Sequence, residues 1–124
     1  MNNALLTKNY TAEAAISPYR IVKWGAADSQ VLQATGVADK LIGIQNEVGP
    51  ALGERADVQR AGIAEVEYGG NVVRGDPLTS DATGKALAAA PAAGTNNYII
   101  GFAEVSGAAG DIGLCLIAPG RIQG

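Results

Sequence analysis

The 124-residue chain has no histidine. The commonest general base and the commonest metal-binding side chain are therefore both missing. Its one cysteine, Cys115, can build neither an internal disulfide nor a cysteine-rich zinc site. That residue sits in the apolar run IGLCLIA, where a small buried thiol is expected. Aromatic residues make up 5% and charged residues 17%, below the roughly 25% charged residues of ordinary soluble domains. Nine basic residues are scattered singly against twelve acids, for a net charge of −3. Without a basic stripe, nucleic acid is not an expected partner. No apolar stretch approaches the roughly 18 residues that span a bilayer, so no membrane is expected either. The opening MNNALLTKNYTAEAAISPYR lacks the continuous apolar centre of a signal peptide, which points to a protein made and folded in a cytoplasm. The sequon Asn9-Tyr10-Thr11 is then incidental.

No nucleophile motif or phosphate-cradling loop is present, so the expectation is not an enzyme, with no cofactor and no metal. Glu65 and Glu67, two residues apart, could share a proton or a divalent cation. The same alternation also describes the wet face of a sheet.

The chain is rich in glycine, with 17 residues, and in short β-type runs. YRIVKW, QVLQA and KLIGIQNEV read as strands separated by the turn GAADS and the loop GPALGE. RADVQRAGIAEVEYGG reads as two strands meeting near Ala61-Gly62. Ala56, Val58, Ala64, Val66 and Tyr68 share one parity, while Arg55, Asp57, Glu65 and Glu67 share the other. One face is apolar and one charged, as in an antiparallel sheet with a solvated side. DPLTS, KALAA, YIIGFAEV and DIGLCLIA complete the set. The Ala-rich stretch 86–97 contains Pro91, Gly94 and an Asn pair, and reads as a strand end followed by a loop. Short strands with frequent turn signals predict a small barrel or sandwich. Residues 1–17 differ: polar, Ala-rich and weakly periodic, they suggest a short helix, a frayed terminus, or an arm that orders on a partner. The division is thus an N-terminal arm over 1–17 and a single β domain over 18–124.

The two halves echo each other. LIGIQNEVGPALGERADVQRAG from Leu41 runs parallel to IIGFAEVSGAAGDIGLCLIAPG from Ile99. Gly43 matches Gly101, Gly49 matches Gly107, and Gly53-Glu54 matches Gly110-Asp111 after a one-residue shift. Upstream, YRIVKWGAADSQVLQA parallels DPLTSDATGKALAAA as strand, turn, strand. The pattern predicts a duplicated four-strand unit in a pseudo-symmetric barrel. Arg74-Gly75-Asp76 has the form of an adhesion tripeptide. Its Gly75-Asp76 also fits the Gly-acid step that starts a strand, followed by Pro77 where no ladder N–H is needed.

These segments in this order, including GDPLTSDATGK and the GFAEVSGAAGD run, resemble the bacteriophage capsid cement, or head decoration, proteins. The resemblance runs from about Leu41 to Pro119. It implies an all-β, barrel-like or β-tulip-like domain of short antiparallel strands on the outer surface of the virion's capsid. It further implies a homo-oligomer, dimer or trimer, that bridges subunits of the major capsid protein and stabilises the mature head. Clamping needs surface rather than reactive groups, so the candidate capsid or subunit contacts are apolar: Leu5, Leu6 and Tyr10 in the arm, then Tyr19 and Trp24, then Cys115 and Ile117 on one face of IGLCLIA. Other classes remain open at this point: a tail or baseplate module of the virion, or a small-ligand-binding β-barrel.

Overall fold

The computed structural model describes residues 2–46 and 48–124; the Glu47 end of the third expected strand, and Met1, lie outside the described residues. The described residues contain no helix and nine strands: β1 (Asn3–Ala12), β2 (Ile21–Trp24), β3 (Gln30–Gln33), β4 (Leu41–Gln45), β5 (Arg55–Glu67), β6 (Pro77–Ser80), β7 (Ala86–Ala88), β8 (Asn96–Ala103) and β9 (Ile112–Gln123). All belong to one sheet in the order β1-β3-β2-β4-β5-β9-β8-β6-β7. An extra β1–β5 pairing closes the first five strands into a ring. On the other side, a parallel bridge from Tyr68 to Ala86 brings β7 back to the end of β5. Two barrel-like rings thus share β5. Its first half serves ring 1 and its second half, from Ile63 to Glu67, pairs with β9 in ring 2.

The duplication expected from the sequence recurs hydrogen bond by hydrogen bond. In ring 1 the Ala12 N–H donates to Glu54 O at 2.9 Å and Gly53 N–H donates to Ala12 O at 2.8 Å. In ring 2 the Tyr68 N–H donates to Asp111 O at 2.8 Å and Gly110 N–H to Tyr68 O at 2.9 Å. Ile16 N–H to Pro50 O (3.0 Å) repeats as Val72 N–H to Gly107 O (2.9 Å). Val22 stands opposite Gly43, and Leu78 opposite Gly101. The glycines are there because a neighbouring backbone passes close: a Cβ on Gly43 would strike Gln59 O, and one on Gly101 would strike Leu116 O.

The Gly-acid step recurs three times. Gly53, Gly75 and Gly110 have φ of 83°, 94° and 89°, the left-handed region that favours glycine. The acid that follows folds its carboxylate back onto the turn. Glu54 accepts from Ala51 N–H at 2.7 Å, Asp76 from Val73 N–H at 2.9 Å, and Asp111 from Ala108 N–H at 2.8 Å. Arg74-Gly75-Asp76 is therefore one such turn, with its carboxylate committed to its own backbone.

Each ring fills itself with the inward residues of its strands. Ring 1 holds Tyr10, Ala12, Ile16, Val22, Val31, Ile42, Ala56 and Val58. Ring 2 holds Val66, Tyr68, Val72, Leu78, Ala86, Ile100 and Cys115 at the matching places. Sizes compensate: Tyr68 replaces Ala12, and the Tyr68 ring occupies the space that a side chain on Gly113 would take. Its hydroxyl donates to Val105 O at 2.7 Å, which satisfies the one polar atom of that buried ring.

Three elements depart from the sequence expectation. Residues 3–12 form a strand rather than a short helix, a frayed terminus or a free arm, because they pair with β5 at eight positions. The stretch 55–67 is one strand rather than two. Gly62, at φ 96°, lets it continue past a bulge where Asn3 and Leu5 approach. Strands β5 and β9 are long, and β1 runs parallel to β3.

Candidate functional site

The residues singled out above separate into surface and core. Leu5 is 81% exposed and Leu6 is also exposed, on the outer half of β1. Trp24 is 44% exposed at the end of β2. Tyr19 is half-buried at φ 60°, and its N–H donates to Asn46 O at 3.2 Å. Tyr10 is 5% exposed and belongs to the ring 1 core.

Cys115 and Ile117 require correction. Both lie in the ring 2 core, so neither offers surface to a partner. Strand β9 is apolar on both faces, and alternation alone does not say which face turns inward. The outward face carries Ile112, Leu114 and Leu116 instead. Burial pushes the Cys115 thiol up to about 12, where almost no thiolate exists at neutral pH. An alkylating reagent at about pH 8 is expected to leave Cys115 untouched in the folded protein and to modify it fully in urea. Rapid modification of the folded protein, read by mass spectrometry, would contradict this placement.

Tyr10 and Trp24 do come together. Their rings meet edge to face with centroids 5.6 Å apart. Arg60, from the middle of β5, donates to the Tyr10 hydroxyl at 2.6 Å and lays its guanidinium 5.5 Å over the Trp24 ring. Lys8 stands 4.6 Å over the Tyr10 ring. These side chains and residues 25–29 line an open cleft of about 600 Å³ at one end of ring 1. The loop is held in shape by the Ala26 N–H donating to Glu13 Oε1 at 2.6 Å and by Gly25 N–H donating to Gln30 O at 2.7 Å. Among the described residues, the ion pairs are made by other cations: Arg20 and Lys85 with Glu67, Lys23 with Asp39, and Arg55 with Asp57. Lys8 and Arg60 thus face the cleft without a carboxylate partner among them.

Sequence reasoning did not find Lys8 and Arg60, because a lone cation in a strand carries no signal of its own. It also missed a second surface, an apolar row across ring 2. Ile63, Leu116, Phe102 and Pro77 are directly opposed from strand to strand over β5, β9, β8 and β6, so they share one face. The residues next to them, Ala64, Cys115 and Ala103, point into the core. Phe102 and Leu116 are 41% and 42% exposed.

Among the described residues, no three His, Cys, Asp or Glu side chains gather to hold a metal ion. Glu67, one of the acids on the sheet face, is paired with Arg20 at 3.5 Å and Lys85 at 3.2 Å.

What the architecture defines is a duplicated all-β module with two barrel-like rings and exposed apolar and aromatic patches. By sequence, the chain belongs to the phage cement protein family, whose sequence model matches residues 2–117. It is thus a structural protein of the phage virion, associated with the capsid. Among solved structures, it is similar in fold to the head fiber gp8.5 N base of bacteriophage phi29. The TM-score is 0.68 at 15% identity, over 96% of this chain and 98% of that one. Nothing among curated protein sequences matches the chain.

Proposed function

We propose that the protein binds the outer surface of the assembled phage head as a homo-oligomer and bridges neighbouring major capsid protein subunits, stabilising the mature capsid. Membership of the cement family over nearly the whole chain is the observation that carries this reading. Likeness to the base of a head fiber supports a place on the head. A ligand that binds the assembled shell and not its separated subunits stabilises it by RT ln(1 + [L]/Kd), about 2.7 kcal/mol per site at a hundredfold excess over Kd. Summed over many equivalent sites, with avidity from an oligomer touching several subunits, modest contacts become a large effect.

The outer half of β1 is the surface assigned to the capsid. Leu5 and Leu6 expose large apolar side chains on a strand whose other end is anchored in the core by Tyr10 and Ala12. Because both leucines are exposed, the double variant Leu5→Asp, Leu6→Asp is expected to fold normally. It should bind purified expanded heads at least about 10-fold more weakly, the loss that about 1.4 kcal/mol gives. Wild-type affinity in the double variant would remove β1 from the contact.

A further inference from the structure

Rings 1 and 2 present equivalent outer walls, and only one of the two is covered. The ring 1 wall is the row Thr7–Gln59–Ile44–Ile21, running over β1, β5, β4 and β2. Ile21, Ile44 and Gln59 are buried there. Ring 2 covers the two isoleucines, which join the cluster of Leu78, Ile100 and Ile117. The β6–β7 turn presses on the same wall, with Gly84 O accepting from Ile21 N–H at 2.8 Å. The equivalent wall of ring 2 is the row Ile63–Leu116–Phe102–Pro77. It is wholly apolar, and among the described residues Phe102 and Leu116 stay about two-fifths exposed. At the place of Ile21 stands Pro77, which has no N–H to leave bare.

The covering element is duplicated as well. In ring 2 the turn is closed by Asp81 N–H donating to Lys85 O at 2.9 Å, with Gly84 at φ 77°. In ring 1 the matching turn is closed by Gly25 N–H donating to Gln30 O at 2.7 Å, with Ser29 at φ 65°. Residues 26–29 of that turn are exposed, beside Trp24. One chain therefore carries both an uncovered wall and an uncovered counterpart of the element that covers such a wall. Lys8 and Arg60 flank the turn, which itself carries the exposed Asp28. The exposed Glu104 borders the wall, its N–H on Leu114 O at 2.8 Å. Two cations against one acid on the turn side leave it net positive toward Glu104.

We infer that copies of this chain associate head to tail, the Trp24 turn of one copy docking on the Phe102–Leu116 wall of the next. The inference rests on the homo-oligomer part of the function proposed above and names its surfaces. Such a contact joins two different patches, so each copy keeps one free patch until the ring of copies closes. Pro77 makes the contact apolar rather than a copy of the Ile21–Gly84 hydrogen bond.

The test uses light-scattering mass measurement on the full chain and two exposed-site variants. These are the wall variant Phe102→Asp, Leu116→Asp, and the turn variant Trp24→Asp. The wild type is expected to be oligomeric. Each variant alone is expected to be monomeric, with association weakened at least about 30-fold. An equimolar mixture is expected to form dimers, because each variant keeps the patch the other lacks; recovery on mixing also shows that both fold. An oligomeric wall variant would overturn the inference. So would a turn variant that stays oligomeric while the wall variant does not, since the wall would then meet its own kind. A monomeric wild type would overturn both the inference and the homo-oligomer part of the function. An oligomer that dissociates as expected, yet does not bind heads, would support the inference and contradict only the capsid assignment.

Discussion

Removing residues 1–15 is expected to abolish cooperative folding. Strand β1 is one wall of ring 1: it pairs with β5 at eight positions and with β3 at two. Its inner end places Tyr10 and Ala12 in the ring core beside Val22, Val31 and Val58. Loss of a single buried aromatic costs about 3–5 kcal/mol. Native domains have only about 5–15 kcal/mol in hand. The truncation would add an opened ring and an unpaired β5 edge, which invites aggregation. The expected result is insoluble protein, or a soluble chain with no sharp thermal transition by circular dichroism. A truncated chain that melts within a few degrees of the full-length protein would show that ring 1 closes without β1.

Gly101→Ala is expected to be the most damaging single-methyl change. The added carbon would strike Leu116 O and crowd Ala118 N on the paired strand, so β8 and β9 would have to separate. Overpacking against a backbone costs typically 1–3 kcal/mol and at times more; about 3 kcal/mol is expected here, since no side chain can turn aside. At roughly 4 °C per kcal/mol, the melting temperature should fall by about 12 °C. Gly36→Ala is the control: its methyl would meet nothing within 4 Å. That change should stay within about 0.5 kcal/mol of the wild type. Equal stability of the two variants in urea titrations would contradict the close strand approach at Gly101. The same clash at Gly43, against Gln59 O, makes Gly43→Ala the partner test in ring 1.

Features enforced by local backbone chemistry were legible in the sequence. The Gly-acid steps at Gly53, Gly75 and Gly110 announce themselves because left-handed turns select glycine, and the acid that follows accepts from the N–H three residues before it. The in-strand glycines at 43 and 101 were legible for a similar reason, and together they exposed the duplication. Parity along β5 showed which side of Ala56, Val58, Ala64 and Val66 faces inward. What was not legible depends on contacts between distant segments. β1 is a strand because β5 lies beside it, not because NALLTKNYTA announces one. On β9 both faces are apolar, so only the packed ring distinguishes buried Cys115 from exposed Leu116. The cleft brings Lys8, Trp24 and Arg60 together from three strands far apart in sequence. Nor does a sequence repeat say that one of two equivalent walls is covered and the other open.

The capsid assignment is tested most directly by cryo-electron microscopy of the virion that carries this protein. Density fitting the two-ring fold is expected on the outer surface of the head, repeated across the lattice and touching at least two major capsid subunits per oligomer, with β1 against the shell. Density confined to the tail or baseplate, or a head surface without it, would contradict the account.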